Sequence, residues 1–334
     1  MTHRLKAKVK KILPQDVSLD LSEWDSVLKK SSNPSVYHLQ SSVAYYIEYF
    51  NGENSSFVLY ENKKAIGVFP LLAYQNNEKW ILSANGSYIL EPLFIDGVSK
   101  KTKKRLEKSL KVFINKLSKF LGVTENKFSI SFKGMTSWYY LWLENAQEES
   151  INHHLSVDLR KNLSEIRLQF RKSYKPLVNK ALKEWDISIC TSDLNKDFEA
   201  FRMLHLEVSG KETRSRESWD IQLQNIINGK AFLVTAKDND LLIGGGLFSY
   251  TKFMGIYGVG AYKRELFDKP IGHGVQMKAI EFLKEKGCQW YEIGRRHYLV
   301  DRVKPTKKEL SISHFKEGFA MHTFVKPHCT VNVE

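Results

Sequence analysis

The segment Leu241–Gly294, LLIGGGLFSYTKFMGIYGVGAYKRELFDKPIGHGVQMKAIEFLKEKGCQWYEIG, constrains the fold of this chain more than any other. Leu241 to Tyr250 and Phe253 to Tyr262 are rich in β-branched, aromatic and glycine residues on either side of a short turn, which predicts adjacent antiparallel strands. From Ile271 the period changes. Val275, Ala279, Phe282 and Leu283 recur at three- and four-residue spacing, so a helix begins near Pro270, and Gly287 ends it ahead of a strand from Gln289 to Ile293. Pro270 suits a first helical position, while Gly272 and Gly274 let a ligand approach backbone N–H groups that no helical carbonyl satisfies. Such an end attracts phosphate, which makes Gly272, His273 and Gly274 candidate cofactor-binding residues.

A chain of 334 residues exceeds one typical domain and fits two. With 42% hydrophobic residues it can build real cores and is not of disordered composition. No apolar run is long enough to cross a bilayer, and the basic start MTHRLKAKVKKILP is not followed by the apolar stretch of a signal peptide, so a cytoplasmic location is expected. Cys190, Cys288 and Cys329 are widely spaced and form no metal or disulfide pattern, so they read as buried thiols, and no metal is expected. The net charge of +14 implies attraction to anions such as nucleotides, phosphorylated lipid carriers, tRNA or an anionic membrane face, without choosing among them. Much of it sits in Lys100 to Lys111, a run with Leu106 and Leu110 on a narrow apolar stripe, which reads as the solvated face of a helix.

Residues 1–14 read as a basic tail, followed by domains at 15–155 and 156–334. In the first, helices are expected at Ser22 to Lys29, Val43 to Phe50 and Lys101 to Leu121, and strands at Trp80 to Ser83 and Lys127 to Ser131. Phe57 to Tyr60 pairs with Ala65 to Ala73 across Asn62-Lys63-Lys64 as a hairpin, and Trp138 to Leu143 reads as an alternating aromatic strand. The second domain opens with a strand at His154 to Leu159 and a helix at Asn162 to Tyr174 that Pro176 stops or kinks. Helices near Lys196 to Val208 and Arg216 to Asn228, a strand at Ala231 to Lys237 and a final strand at Thr323 to Val333 complete it. Both halves share one plan: helices, a strand and hairpin, a long helix and a further strand.

Wound as a helix, the stretch after Asp158 gathers Arg160, Arg167, Arg171 and Tyr174 on one side. Arginine's planar fork holds phosphate in two contacts, so this stripe is a candidate diphosphate site; solvated arginines are the alternative. In KPTKKELSISHFKEGFAMH an extended stretch, Leu310 to His314, runs into Phe315 and Phe319, which are four apart and would share a buried face on one helical turn, anchoring Lys316 between them. Tyr262, Glu292 and His273 are candidates for proton transfer, each with a structural role as its alternative, and His297 is no stronger.

The series FRKSYKPLVNKALKEWDISI, MLHLEVSGKETRS, GGGLFSYTKFMGIYGVGAYKRE, PIGHGVQMKAIEFLKEKGCQWYEIG and KELSISHFKEGFA resembles the Fem-type peptidyltransferases and their acetyltransferase relatives in the GNAT superfamily. The likeness covers Asp158 to Ala320 in motifs, and the first half only as a plan. It implies an α/β fold of mixed sheets with two GNAT-like domains in tandem. The implied activity is transfer of an acyl or aminoacyl group to the amine of an amino sugar or a nucleotide- or lipid-linked cell-envelope precursor, with peripheral contact at the inner membrane surface. By this likeness Lys316 matches the lysine placed near the reacting carbonyl, with Phe315 before it, and Arg171 with Tyr174 match the segment holding the acceptor's phosphates. Two departures bear on the donor. The pyrophosphate loop R/Q-x-x-G-x-G/A is not evident in YKRELFDKPIGHG, and the helical-hairpin insertion of some tRNA-using members is absent. The first departure counts against CoA and the second against tRNA; for want of that insertion acyl-CoA is slightly preferred as donor, with aminoacyl-tRNA feeding a peptidoglycan cross-bridge the enzyme alternative and a non-catalytic RNA or membrane-surface module the alternative from another class.

Overall fold

The computed structural model of the chain describes residues 12–14, 16–130, 134–191 and 193–333; the expected basic tail lies outside them from residue 1 to 11. The chain divides into two compact units, Met1–Asn152 with Val325–Glu334, and His153–Phe324, each mixing helices with sheet.

In the first unit, α1 (Trp24–Lys30) and α2 (Gln40–Tyr49) precede a hairpin of β1 (Phe57–Glu61) and β2 (Lys64–Phe69). Its tight turn places Asn62 and Lys63 at positive φ, the geometry that matches strand twist. The strand expected from Ala65 to Ala73 is two. Pro70, which has no N–H to give a ladder, separates β2 from β3 (Leu72–Asn76), and β3 pairs in another sheet with β4 (Lys79–Ser83). The long helix α3 (Lys100–Leu121) starts on Ser99, whose side chain accepts from Thr102 N, and ends on Gly122 at φ 71. It buries Leu106, Leu110, Phe113, Ile114 and Leu117 and leaves Lys100, Lys101, Lys104, Arg105 and Lys108 in solvent, the basic face the spacing predicts. After β5 (Glu125–Ser129), the segment expected as an aromatic strand is instead helix α4 (Ser137–Leu143). Trp138 and Trp142, one turn apart with ring centroids at 5.5 Å, are both buried, and Thr136 caps the helix, so helical period and cap override the strand propensity of the aromatics.

The second unit is built on six strands in the order β7-β8-β9-β10-β11-β6: β6 (Glu148–Asp158), β7 (Asp186–Ile189), β8 (Ala231–Asp238), β9 (Leu241–Tyr250), β10 (Met254–Tyr262) and β11 (Trp290–Arg296). All neighbours are antiparallel except β10 and β11. The helix expected from Asn162 to Tyr174 is broken. α5 (Leu163–Gln169) ends where Phe170 turns extended, and α6 (Tyr174–Glu184) begins four residues on with Pro176 in its first turn, where no N–H is needed. α7 (Leu194–Ser209) and α8 (Arg216–Ile227) follow, and α9 (Ile271–Glu285) packs Ile271, Val275, Ala279, Ile280 and Leu283 into the core with Ile166, Val178 and Phe319. The extended stretch expected at Leu310 to His314 lies within helix α10 (Lys307–Glu317). Its capping box was written in the sequence as Thr306-x-x-Glu309: Glu309 N donates to Thr306 Oγ1 at 3.2 Å and Thr306 N to Glu309 Oε2 at 2.7 Å. The last strand, β12 (His322–Asn332), returns to the first unit, where it pairs with β5. The three cysteines are buried thiols outside any disulfide, and burial pushes each up to about 12.

Replacing Thr306 by Ala removes an N-cap and should lower stability by about 1 kcal/mol, with Thr306→Ser close to wild type. Urea unfolding midpoints of the three proteins check this, and equal midpoints would mean that the cap contributes nothing.

Candidate functional site

β10 and β11 run parallel through three register pairs, Met254 with Trp290, Gly255 with Tyr291 and Ile256 with Glu292. Beyond these they share no further pairing among the described residues, although β10 continues to Tyr262 and β11 to Arg296. Each strand carries an extra residue just past the last pair. Tyr257 and Val259 oppose Phe248 and Leu247, leaving Gly258 as a bulge, while Glu292 and Gly294 oppose Ser156 and Leu155, leaving Ile293 as another. Bulges end pairing and re-aim side chains, and they recur beside active sites. Two at one level make this a natural place for a ligand.

Lys316 occupies it. Its ammonium lies 5.5 Å from the centroid of the Tyr257 ring and crosses Gly294 so closely that a Cβ on that residue would stand 2.6 Å from Nζ. Gly294 has φ 140, a conformation that side chains other than hydrogen rarely adopt. Among the described residues the Lys316 ammonium has neither hydrogen bond nor ion pair. Burial lowers its pKa, and the charge of Glu292 pulls it partly back up. Glu292 is itself buried and meets His154 Nδ1 at 2.7 Å from Oε1.

The last turn of α10 is clamped from the α5–α6 link. Arg171 N donates to Gly318 O at 2.8 Å, Arg171 Nη2 to His314 O at 3.1 Å, and the Tyr174 hydroxyl to Phe315 O at 3.0 Å. Those carbonyls belong to the helix end, where intrahelical donors run out, although Phe315 O also accepts from Gly318 N at 3.2 Å. Gly318 has no side chain because the Tyr174 ring lies against it; a Cβ would come within 2.1 Å of that ring. From the other side Arg296 Nε reaches Glu317 Oε1 at 3.0 Å and its Nη1 reaches Ser313 Oγ at 3.1 Å.

At the start of α9, Pro270 is the cap residue, one position before that expected, and the N–H groups of Ile271 and Gly272 have no acceptor among the described residues. Phe315 and the Tyr262 ring stand over Gly272, at 3.3 and 3.7 Å from where its Cβ would be. The Tyr262 hydroxyl is 3.4 Å from that of Tyr257, and burial, then the neighbouring Tyr257, raises its pKa well above the ordinary value. His273 packs edge-on against Tyr174 and Phe315, its Nε2 buried without a partner. The loop ahead of α9 carries Lys263, Arg264 and Lys269, but Arg264 bonds Val208 O, and the two lysines face Glu265 and Asp268 at 3.9 and 3.3 Å. An anion would therefore find the two free N–H groups and, with both lysines paired, one uncompensated positive charge, that of Arg264.

Of the residues singled out by sequence, Lys316, Phe315, Tyr262, Glu292, Gly272, His273, Arg171 and Tyr174 form one contiguous group. Arg160, Arg167 and Gly274 stand apart from it. Arg160 precedes α5, holds Asp158 through two hydrogen bonds of 2.7 and 2.6 Å, and stacks on Trp290. Arg167 bonds Asn179, and a Cβ on Gly274 would strike Ile187, so that glycine serves packing. The arginine stripe is dissolved by the break at Phe170. Tyr257, Gly294 and His154 belong to the group but carry no sequence pattern of their own, because only strand register brings them there. Among the described residues no cluster of His, Cys, Asp and Glu could hold a metal.

No protein-family model and no curated protein matches the chain. Solved structures do. FemX is 13% identical, covering 93% of this chain and 96% of its own, with a TM-score of 0.64. L-PGS from Bacillus licheniformis is 11% identical over 94% and 92%, TM-score 0.61, and a conserved protein of unknown function from Bacteroides thetaiotaomicron is 10% identical over 94% and 98%, TM-score 0.58. At such identities the likeness is one of fold alone: the chain has a mixed α/β fold like that of FemX.

Two outcomes follow. Gly294→Ala places a methyl group against Nζ at a backbone angle that resists it, and should cost about 1–3 kcal/mol in urea unfolding; an unchanged midpoint would contradict the close approach. Burial, then the charge of Arg171, holds His273 down at about 4 against a raising contact from Pro270. Because the folded pKa lies below the unfolded value of about 6.5, the unfolded chain gains a proton first, so stability is lost as pH falls through that window and levels off below about 4. The stability difference between wild type and His273→Gln should accordingly change between pH 7 and pH 5, whereas a constant difference would place His273 in solvent.

Proposed function

We propose that the chain is an N-acyltransferase that moves an acyl group from acyl-CoA to the amino group of an amino sugar or a nucleotide- or lipid-linked cell-surface glycan precursor. The observation that carries this reading is the unpartnered Lys316 ammonium beside the opening between β10 and β11, next to a buried carboxylate. Burying such a group without a partner costs free energy, and perturbed titratable groups in that setting cluster at functional sites. The fold likeness to FemX supports the same class.

Acyl-CoA supplies an activated thioester when bound. The acceptor amine attacks its carbonyl, a C–N bond forms, the C–S bond breaks, and the proton lost by nitrogen ends on the thiol. In this scheme Lys316 Nζ donates to the developing oxyanion. Glu292, oriented by His154, takes the proton from the amine. Tyr262, kept as the neutral phenol by burial, gives a proton to the departing sulfur, and its phenolate is then restored through solvent by the proton that Glu292 took, so that the net transfer is from nitrogen to sulfur. The free N–H groups of Ile271 and Gly272 take an anionic part of the donor, and the clamp by Arg171 and Tyr174 keeps Lys316 in place.

Aminoacyl-tRNA is the second donor reading, favoured by the net charge of +14. Nuclease-resistant RNA that co-purifies with the protein would select it.

Lys316→Ala should reduce thiol release from acyl-CoA across a panel of amino-sugar acceptors by about 10²- to 10³-fold, with the folding midpoint retained. Full turnover by that variant would overturn the assignment.

A further inference from the structure

The connection 297–306 between β11 and α10 is inside out for a surface loop. Leu299, Val300 and Val303 are 70, 86 and 77% exposed, the three most exposed large hydrophobic side chains among the described residues, and all three stand on this one loop. Its one carboxylate turns inward instead. Asp301, only 6% exposed, takes Arg295 Nη2 at 3.0 Å and faces His297 at 3.7 Å, while its N–H closes a turn on Tyr298 O at 3.0 Å. Tyr298 packs against His153 and Arg296, and Lys304 Nζ donates to Leu299 O at 2.9 Å. The aliphatic tip is thus held outward by a built scaffold.

Around it stand the exposed cations Arg302, Lys304, Lys307 and Lys308. The acids nearby are engaged: Asp301 with Arg295, and Glu309 with the Thr306 cap. An aliphatic tip ringed by cations is complementary to one environment, the interface of an anionic bilayer, where alkyl groups reach the acyl boundary while Lys and Arg remain among the headgroups. Single-stranded nucleic acid would use the cations but prefers aromatic rings to stack upon, and the tip offers none.

We propose that loop 297–306 docks the protein on an anionic membrane surface by inserting Leu299, Val300 and Val303. The loop begins three residues after Gly294 and leads into the helix that carries Lys316, so docking would bring the reacting centre to the membrane. This rests on the proposed transferase and narrows its acceptor to one linked to a lipid.

Sedimentation with vesicles tests it. The wild-type chain should partition onto phosphatidylcholine vesicles containing either phosphatidylglycerol or phosphatidylserine, equally at equal charge, and weakly onto phosphatidylcholine alone. Combined Leu299→Ser, Val300→Ser and Val303→Ser should weaken partition by about 10- to 100-fold, and Lys307→Glu with Lys308→Glu should abolish the preference for anionic vesicles. Lys316→Ala should bind vesicles like wild type, so the docking result stands even if the transferase reading fails. Should the triple variant fail to fold, a fluorophore on Val300→Cys should shift to the blue when anionic vesicles are added. Wild-type protein that ignores anionic vesicles, binding restricted to one headgroup, a folded triple variant that binds unchanged, or a label that does not respond would overturn the proposal. So would a wild-type dimer that the triple variant dissolves into monomers, which would assign the tip to a second copy of the chain.

Discussion

The second unit depends on how the end of α10 is held. Backbone donors run out at the end of a helix, and here Arg171 donates to His314 O and Tyr174 to Phe315 O, which Gly318 N also reaches, from the link between α5 and α6. Arg296 fastens Ser313 and Glu317 from the sheet side. With both sides fixed, Lys316 has one course, across Gly294 toward the Tyr257 ring. Each contact is modest by itself. Their combined effect is to keep an ammonium in a place where burial disfavours its charge.

That arrangement explains features of the sheet that have no purpose in a closed one. β10 and β11 stop pairing after Ile256 and Glu292, each with a bulge at the same level, and Gly294 leaves out the side chain that would exclude Nζ. A continuous ladder would satisfy more backbone groups and bury no isolated amine. Local departures from the most stable arrangement are expected where a site must meet a ligand. The Glu292–His154 pair lies below the opening, so acidic and basic groups are kept close without Lys316 forming an ion pair with either.

Much of the fold was legible in the sequence because its signals are periodic and local. The Leu241–Gly294 succession of strands and helix, the buried stripe of α3 and the turn at Asn62-Lys63 follow the expected pattern. Where structure and expectation differ, two local signals compete. In Trp138 and Trp142 the strand propensity of aromatics opposes a four-residue helical spacing, and the spacing wins. At Leu310 to His314 an extended pattern opposes the helix start that Thr306 and Glu309 announce, and the cap wins. A continuous winding placed the arginines in a stripe, but the chain turns at Phe170 and sends Arg160 to Asp158 and Arg167 to Asn179.

By itself the sequence determined which segments become strand or helix, and it marked Lys316, Glu292, Tyr262 and Gly272 as chemically notable, since periodicity and residue type are properties of short stretches. Tertiary structure alone decided which of these share a place. Whether Gly294 faces Lys316, whether Arg171 holds a helix end, and whether Leu299, Val300 and Val303 turn outward depend on strand register and on where a bulge shifts it. Those are settled by packing between elements far apart in the chain, and no local pattern encodes them.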